Sequence, residues 1–238
     1  MGADLYVPGR ALPKRNAGDS QVKQKYTLAE VESYVRKASQ ATGLGWGLSE
    51  EAGKAARWLA AFDLPGPEIS LAHLQRLDCK DYKKYFPVTI DTRWQAQGDY
   101  LCPIVSGAAL ADRAGQMLAG TEFKLGEIAY PLLLVATIGQ AARYHKTTFT
   151  TSWANIRVNC YENGIRIEGS RDDLLLARAN SASCRHSTDL VPQQLPSTLA
   201  YSIEPSIWSA IDALAFKTYA PATAESRAGA GAGLTDND

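Results

Sequence analysis

Residues Thr147 to Ile167 read TTFTTSWANIRVNCYENGIRI, and this stretch decides the fold. β-Branched and aromatic residues fill its first part, from Thr147 to Tyr161, and such side chains suit a pleated, half-buried surface. Asn163-Gly164 follows, the strongest short hairpin signal available, because both central residues of a type I′ turn need positive φ. Ile165 and Ile167 then resume with period two. The pattern predicts paired antiparallel strands joined at Asn163-Gly164. Leu174 to Ser183 and Leu199 to Ile203 supply further strands.

Upstream the period changes to that of helices. Thr27 with Glu30 forms a capping box, and Leu28, Val31, Tyr34, Val35, Ala38 and Ala41 recur at helical spacing before Gly43 stops the run. Ser49 reads as the cap of a second helix, with Glu50 and Glu51 in its first turn and Leu48 as a staple. Ala52, Ala55, Ala56 and Leu59 make a small-residue face that lets the first helix approach closely. Pro65-Gly66-Pro67 ends this pair, and a short helix runs from Ser70 to Leu77. Asp78 to Gly98 is irregular, with Tyr82, Tyr85, Phe86 and Trp94 among charges. Ile104 to Leu118 and Glu127 to Tyr144 read as helices, the latter buried on most sides. Pro205 opens a last helix with Ile207, Trp208, Ile211 and Leu214 on one face. Helices, then strands, then a helix predict an α+β fold: an N-terminal helical pair, a central antiparallel sheet, and further helices packed on it. The chain divides into an extended arm (1–25), one domain (26–219) and a Gly/Ala-rich tail (220–238).

Composition narrows the function classes. Lys plus Arg is 25 and Asp plus Glu is 25, so net charge is zero, and the folded portion lacks the basic stripe that nucleic-acid binding requires. Arg10, Lys14, Arg15, Lys23 and Lys25 cluster in the arm, which reads as a solvated leader. The four cysteines form no CxxC and the three histidines no i, i+4 pair, so no zinc site is expected. The longest apolar run, Ile128 to Ala142, is broken by Pro131, Gly139 and Gln140 and is too short for a bilayer. Met1 to Ala11 lacks an apolar leader, so a cytoplasmic protein with reduced thiols is expected. No motif names a cofactor.

The segment with the most chemical content is Gly43-Leu44-Gly45-Trp46-Gly47, ahead of a helix N-terminus. It matches neither GxGxxG nor the phosphate loop, and it follows a helix where both of those follow a strand. Its free amides still suit an anion. The expectation is a small carboxylate near Gly45 and Gly47, with Trp46 as an apolar wall and Arg57, Arg93 or Arg227 as counter-charge. Glu50 and Glu51 oppose it, and the bland alternative is a glycine-stopped helix turning into the next. Arg113 is a further arginine of interest. Cys102 reads as a small buried hydrophobe, Ser106 lacks the GxSxG elbow, His145 ends a helix, and His186 sits at a strand end. The tail, with Gly229, Gly231 and Gly233 alternating with alanine, is expected to pack on the body or on a second copy.

Trp46 to Leu59, WGLSEEAGKAARWL, resembles a bacterial family known only as a domain of unknown function. The ending Thr218 to Thr223, Glu225-Ser226-Arg227 and Gly229 to Asp238 (GAGAGLTDND) resembles the same family, which implies no activity. The second helix start is also similar to that of the lactate and malate dehydrogenases that lack a Rossmann fold. Their Ser-His-Gly segment after that helix is absent here, which speaks against a dehydrogenase. The expectation is therefore an enzyme or enzyme subunit acting on a small polar, carboxylate-bearing metabolite in bacterial catabolism. The alternative is a non-catalytic partner, homo-oligomeric or bound to another protein, that stabilises or completes an enzyme.

Overall fold

Strand β1 (Gln24–Thr27) runs directly into helix α1 (Leu28–Ala41) in a computed structural model that describes residues 22–88, 91–189, 194–196 and 198–218. Most of the expected arm, the tail and Arg227 lie outside the described residues. The capping box forms: Thr27 Oγ1 accepts from the Glu30 amide at 3.2 Å, and Glu30 Oε2 accepts from the Thr27 amide at 2.7 Å. Gly43, at φ 95°, stops α1. The Gly43 amide donates to the Gln40 carbonyl at 3.0 Å and the Leu44 amide to Ser39 at 3.2 Å, the two bonds of a Schellman motif.

That exit turns the chain so sharply that α2 (Trp46–Ala61) begins ahead of the expected cap at Ser49. Gly45 takes the cap position, while Ser49 is buried and its hydroxyl donates back to the Leu44 carbonyl at 3.1 Å. Glu50 and Glu51 consequently fall beyond the first turn. The small face of α2 does meet α1, with Ala52, Ala55 and Ala56 buried, and Gly53 also lies against it. A Cβ there would lie 2.6 Å from the Glu32 carbonyl oxygen. Helix α3 (Gly66–Leu77) also starts early, because Pro67 sits in its first turn, where a missing N–H is harmless.

After a 3₁₀ turn (Tyr82–Tyr85) come β2 (Arg93–Trp94), α4 (Pro103–Ala111), α5 (Ala114–Leu118), β3 (Phe123–Leu125), β4 (Ile128–Ala129) and α6 (Leu132–His145). The helix expected over 104–118 is thus two, broken at Asp112-Arg113. The remainder is β5 (Thr148–Trp153), β6 (Ile156–Cys160), β7 (Ile165–Glu168), α7 (Arg171–Leu174), β8 (Arg178–Ala179), β9 (Ala182–Ser187), β10 (Ala200–Ile203) and α8 (Pro205–Phe216). Helix α6 starts later than expected because Ile128 and Ala129 pair with β8 and Pro131 takes its cap.

The central sheet has the order β2-β3-β9-β5-β6-β7 and is antiparallel except for the parallel edge pair β2–β3. Two small antiparallel pairs, β1–β10 and β4–β8, flank it. The expected hairpin is present: Val158 faces Ile167, Cys160 faces Ile165, and the Tyr161 amide donates to the Gly164 carbonyl at 2.8 Å. Its turn is not type I′, because neither Asn163 nor Gly164 takes positive φ. The two-residue turn lies instead inside the β-rich stretch, where Trp153 pairs with Ile156 and Ala154 adopts φ 44° without help from a glycine.

Helix α6 is the centre of the core. Leu132 to Gly139 are all buried, between the sheet on one side and α4 and α2 on others. Phe149, Val158 and Cys160 of the sheet are likewise buried. Helix α8 packs on α1, and Trp208 stacks on Tyr26 with centroids 3.7 Å apart, tying the β1–β10 ribbon to the helical layer. No described helix is long and apolar enough to cross a membrane.

Candidate functional site

On α2, Lys54, Arg57, Trp58 and Ala61 follow the i, i+3, i+4, i+7 rule and therefore share one face. Helix α6 presents Gly139, Gln140 and Arg143 toward it. Between them lies a cleft of about 750 Å³, bounded also by Leu28 and Glu32 of α1, by the turn Tyr161 to Gly164, and by Leu195 and Pro196. The size is that of a small-molecule site.

Trp58 forms the apolar wall. A Cβ on Gly139 would lie 2.3 Å from Cζ2 of the indole, so only a bare glycine admits the ring against α6. Phe62 backs the ring at 4.5 Å between centroids. The polar side carries three cations. Arg57 Nη1 meets Glu32 Oε2 at 2.7 Å, and Lys54 Nζ meets Glu51 Oε1 at 2.8 Å. The bond to Glu51 holds the Lys54 ammonium above its usual pKa. Arg143 is exposed and has no carboxylate in ion-pair distance among the described residues. The Gln140 Nε2 donor is buried and has no partner among the described residues. A buried donor left unmade costs about 1–3 kcal/mol, which an acceptor on a ligand or a water would recover. The arrangement offers charged forks for a carboxylate, an amide for a second oxygen, and an indole for an apolar body.

The residues expected to form one site are dispersed. Gly45, Trp46 and Gly47 do sit at the α2 N-terminus, where Trp46 is 70% exposed and Arg36 lies 5.9 Å over its ring. Arg57 is on the same helix, and at 1.5 Å per residue it is about 18 Å from Gly45. It therefore serves the cleft and not the α2 N-terminus. Arg93 is exposed on the edge strand β2, its amide donating to Asp91 Oδ1 at 2.8 Å. Arg113 lies 5.7 Å over the Trp94 ring and donates to the Ala109 carbonyl. His145 closes α6 with its ring edge-on to Phe149, and His186 on β9 lies 2.9 Å from Thr147 Oγ1.

Sequence reasoning missed Lys54, Trp58, Gln140 and Arg143. The α2 stripe was open to a periodicity argument, but the facing α6 residues were not. It also missed a pair on α3 and α4: His73 Nε2 is 3.3 Å from Cys102 Sγ, and both residues are buried. Burial, with help from Arg76, pushes His73 down to about 3, and burial pushes the Cys102 thiol up to about 11.

No curated protein and no solved structure matches the chain. The ending GAGAGLTDND lies outside the span matched by a family model. The family resemblance expected from Trp46 to Leu59 is shown for residues 26–117, which match the model of a family described as a protein of unknown function, DUF3726.

Proposed function

We propose that this protein is an enzyme or enzyme subunit that takes a small carboxylate-bearing metabolite in the cleft between α2, α6 and the β6–β7 turn. One observation carries the reading: Lys54, Arg57 and Arg143 line the same cleft of about 750 Å³ as the indole of Trp58 and Gln140, whose Nε2 has no partner among the described residues. The guanidinium of Arg57 or Arg143 takes the carboxylate, Gln140 takes a neighbouring oxygen, and Trp58 covers the carbon skeleton. A cytoplasmic setting is supported by four free thiols, three of them buried.

The test is a thermal-shift panel of mono- and dicarboxylates, including hydroxy and keto acids, followed by titration of any hit. Losing a charged hydrogen bond costs about 1.5–3 kcal/mol, so Arg57→Ala and Arg143→Ala should weaken a hit roughly ten- to hundredfold while leaving the fold intact. If both variants bind as the parent does, the cleft is not the site.

A further inference from the structure

We propose that the outer face of the central sheet is a docking surface for an acidic segment of a partner protein. Residues paired across strands point to the same side, so the register assigns side chains to faces. The inner face, with Phe149, Val158, Cys160 and Ile165, lies toward α6, where Cys160 Sγ is 3.7 Å from the Val135 carbonyl. The outer face carries Arg93, Lys124, Arg157, Arg166 and Arg185, and Glu168 is the one carboxylate in its strands. These cations come from five different strands, so no stretch of the sequence announces them. None of them lines the cleft between α2 and α6, so the proposal is independent of the function above.

A sheet face that merely meets water mixes charges of both signs, and this one does not. Glu168 Oε1 is already taken, 2.8 Å from Arg166 Nε. Glu122 and Asp189 stand just outside the strands, ahead of β3 and beyond β9. Lys124, Arg157 and Arg185 are exposed and have no carboxylate in ion-pair distance among the described residues. Arg93 stands directly opposite Lys124, and facing like charges destabilise a strand pair. Charge gathered this way opposes the compact chain by self-repulsion, and opposite charge on a partner relieves it.

The floor between the cations is polar and short. Ser152 and Thr150 of β5 lie in the middle. Arg185 on β9 faces Thr150 from one side, and Arg157 on β6 faces Ser152 from the other. Lys124 and Arg166 stand one strand farther out on either flank. Strands are about 4.8 Å apart, so the two inner arginines bound a lane about 10 Å wide along β5. An extended chain fits that width, and its side chains on one side recur about every 7 Å, as the outward residues of β5 do. Carboxylates at that interval meet guanidinium forks, which bind them two-pronged. Nucleic acid is the poorer fit, because the outer face has no aromatic side chain for a base to stack on and the whole chain has zero net charge.

The experiment titrates the full chain into a fluorescein-labelled peptide of alternating glutamate and serine, read by anisotropy in about 20 mM and about 150 mM salt. The parent should bind, and more weakly at the higher salt. Lys124→Glu/Arg157→Glu should raise Kd about tenfold with an unchanged circular-dichroism spectrum, because both residues are exposed. The same charge change on α1, Arg36→Glu/Lys37→Glu, should shift Kd by no more than about twofold. Should the reversed variant not fold, Lys124→Gln/Arg157→Gln takes its place, with an expected rise of about threefold. A parent that does not bind at low salt would overturn the proposal, as would equal binding by parent and sheet variant or an equal loss in the α1 variant. Tighter binding of an oligothymidylate of the same charge would assign the face to phosphates instead. A parent dimer that dissociates on reversal, seen by sedimentation, would assign it to a second copy; either result overturns the acidic partner.

Discussion

Replacing Gly53 with alanine would put a methyl 2.6 Å from the Glu32 carbonyl oxygen and 3.1 Å from the Arg36 Cβ. A relaxed heavy-atom contact is about 3.5 Å, so α1 would have to retreat by roughly 0.9 Å. The obstacle is backbone and cannot swing aside. The retreat loosens a seam in which Val31, Val35, Ala52, Ala55 and Ala56 are buried to 2% or less. Such overpacking costs about 1–3 kcal/mol, against about 1 kcal/mol returned by the better helix propensity of alanine. Gly47, on the same helix, has nothing within 4 Å of its Cβ position, so alanine there should stabilise by about 0.5 kcal/mol. The two variants place the same methyl on one helix and should separate by about 0.5–2.5 kcal/mol, or roughly 1–10 °C in Tm for a chain of this size. Urea unfolding followed by circular dichroism, with matched thermal melts, measures the gap. Gly53→Ala protein melting at or above Gly47→Ala protein would refute the close crossing of α1 and α2.

Three further outcomes are expected. Burial lowers the folded His73 pKa to about 3, against about 6.5 when unfolded, so its contribution is intact above pH 6.5 and falls as pH drops toward 3. The loss is about 1.4 kcal/mol per pH unit; between pH 7 and 5 the parent should lose about 2 kcal/mol more than His73→Gln in urea titrations, and equal losses would refute the buried neutral imidazole. Gly139→Ala should displace the Trp58 indole into the cleft, costing about 1–3 kcal/mol and abolishing the thermal shift of any carboxylate ligand. A variant that keeps that shift would show that Trp58 does not depend on Gly139. Ala154→Gly relieves a positive φ at the β5–β6 turn and should raise stability by about 0.5–1 kcal/mol, read as a higher urea midpoint; a lower midpoint contradicts the turn.

What could be read along the chain was what is carried by neighbours in the chain. Thr27 and Glu30 are three residues apart, and their capping box needs nothing from the rest of the molecule. Gly43 stops α1 for the same local reason, and Pro205 opens α8. The β-rich composition of 147–161 and the alternation at Ile165 and Ile167 likewise survive as β5, β6 and β7. The start of α2 was misplaced because Gly45 and Ser49 are both acceptable caps, and the Schellman exit from α1 chooses between them. The turn chemistry was misassigned because strand pairing, set by burial of Phe149, Val158 and Ile165, put a two-residue turn at Ala154-Asn155 despite its poor local preference.

The candidate sites show the same division. On α2 the spacing of Lys54, Arg57, Trp58 and Ala61 follows from helical periodicity alone, and so does the separation of Arg57 from Gly45. Sequence by itself therefore determined the fold class, the helical pair and the sharing of one α2 face by Lys54, Arg57, Trp58 and Ala61. Tertiary structure alone decided that α6 supplies the facing wall through Gly139, Gln140 and Arg143, because only packing shows which helix a bare glycine admits. It also decided that His73 meets Cys102 across 29 residues of chain, since a contact between two helices depends on how the core closes and leaves no mark in local spacing.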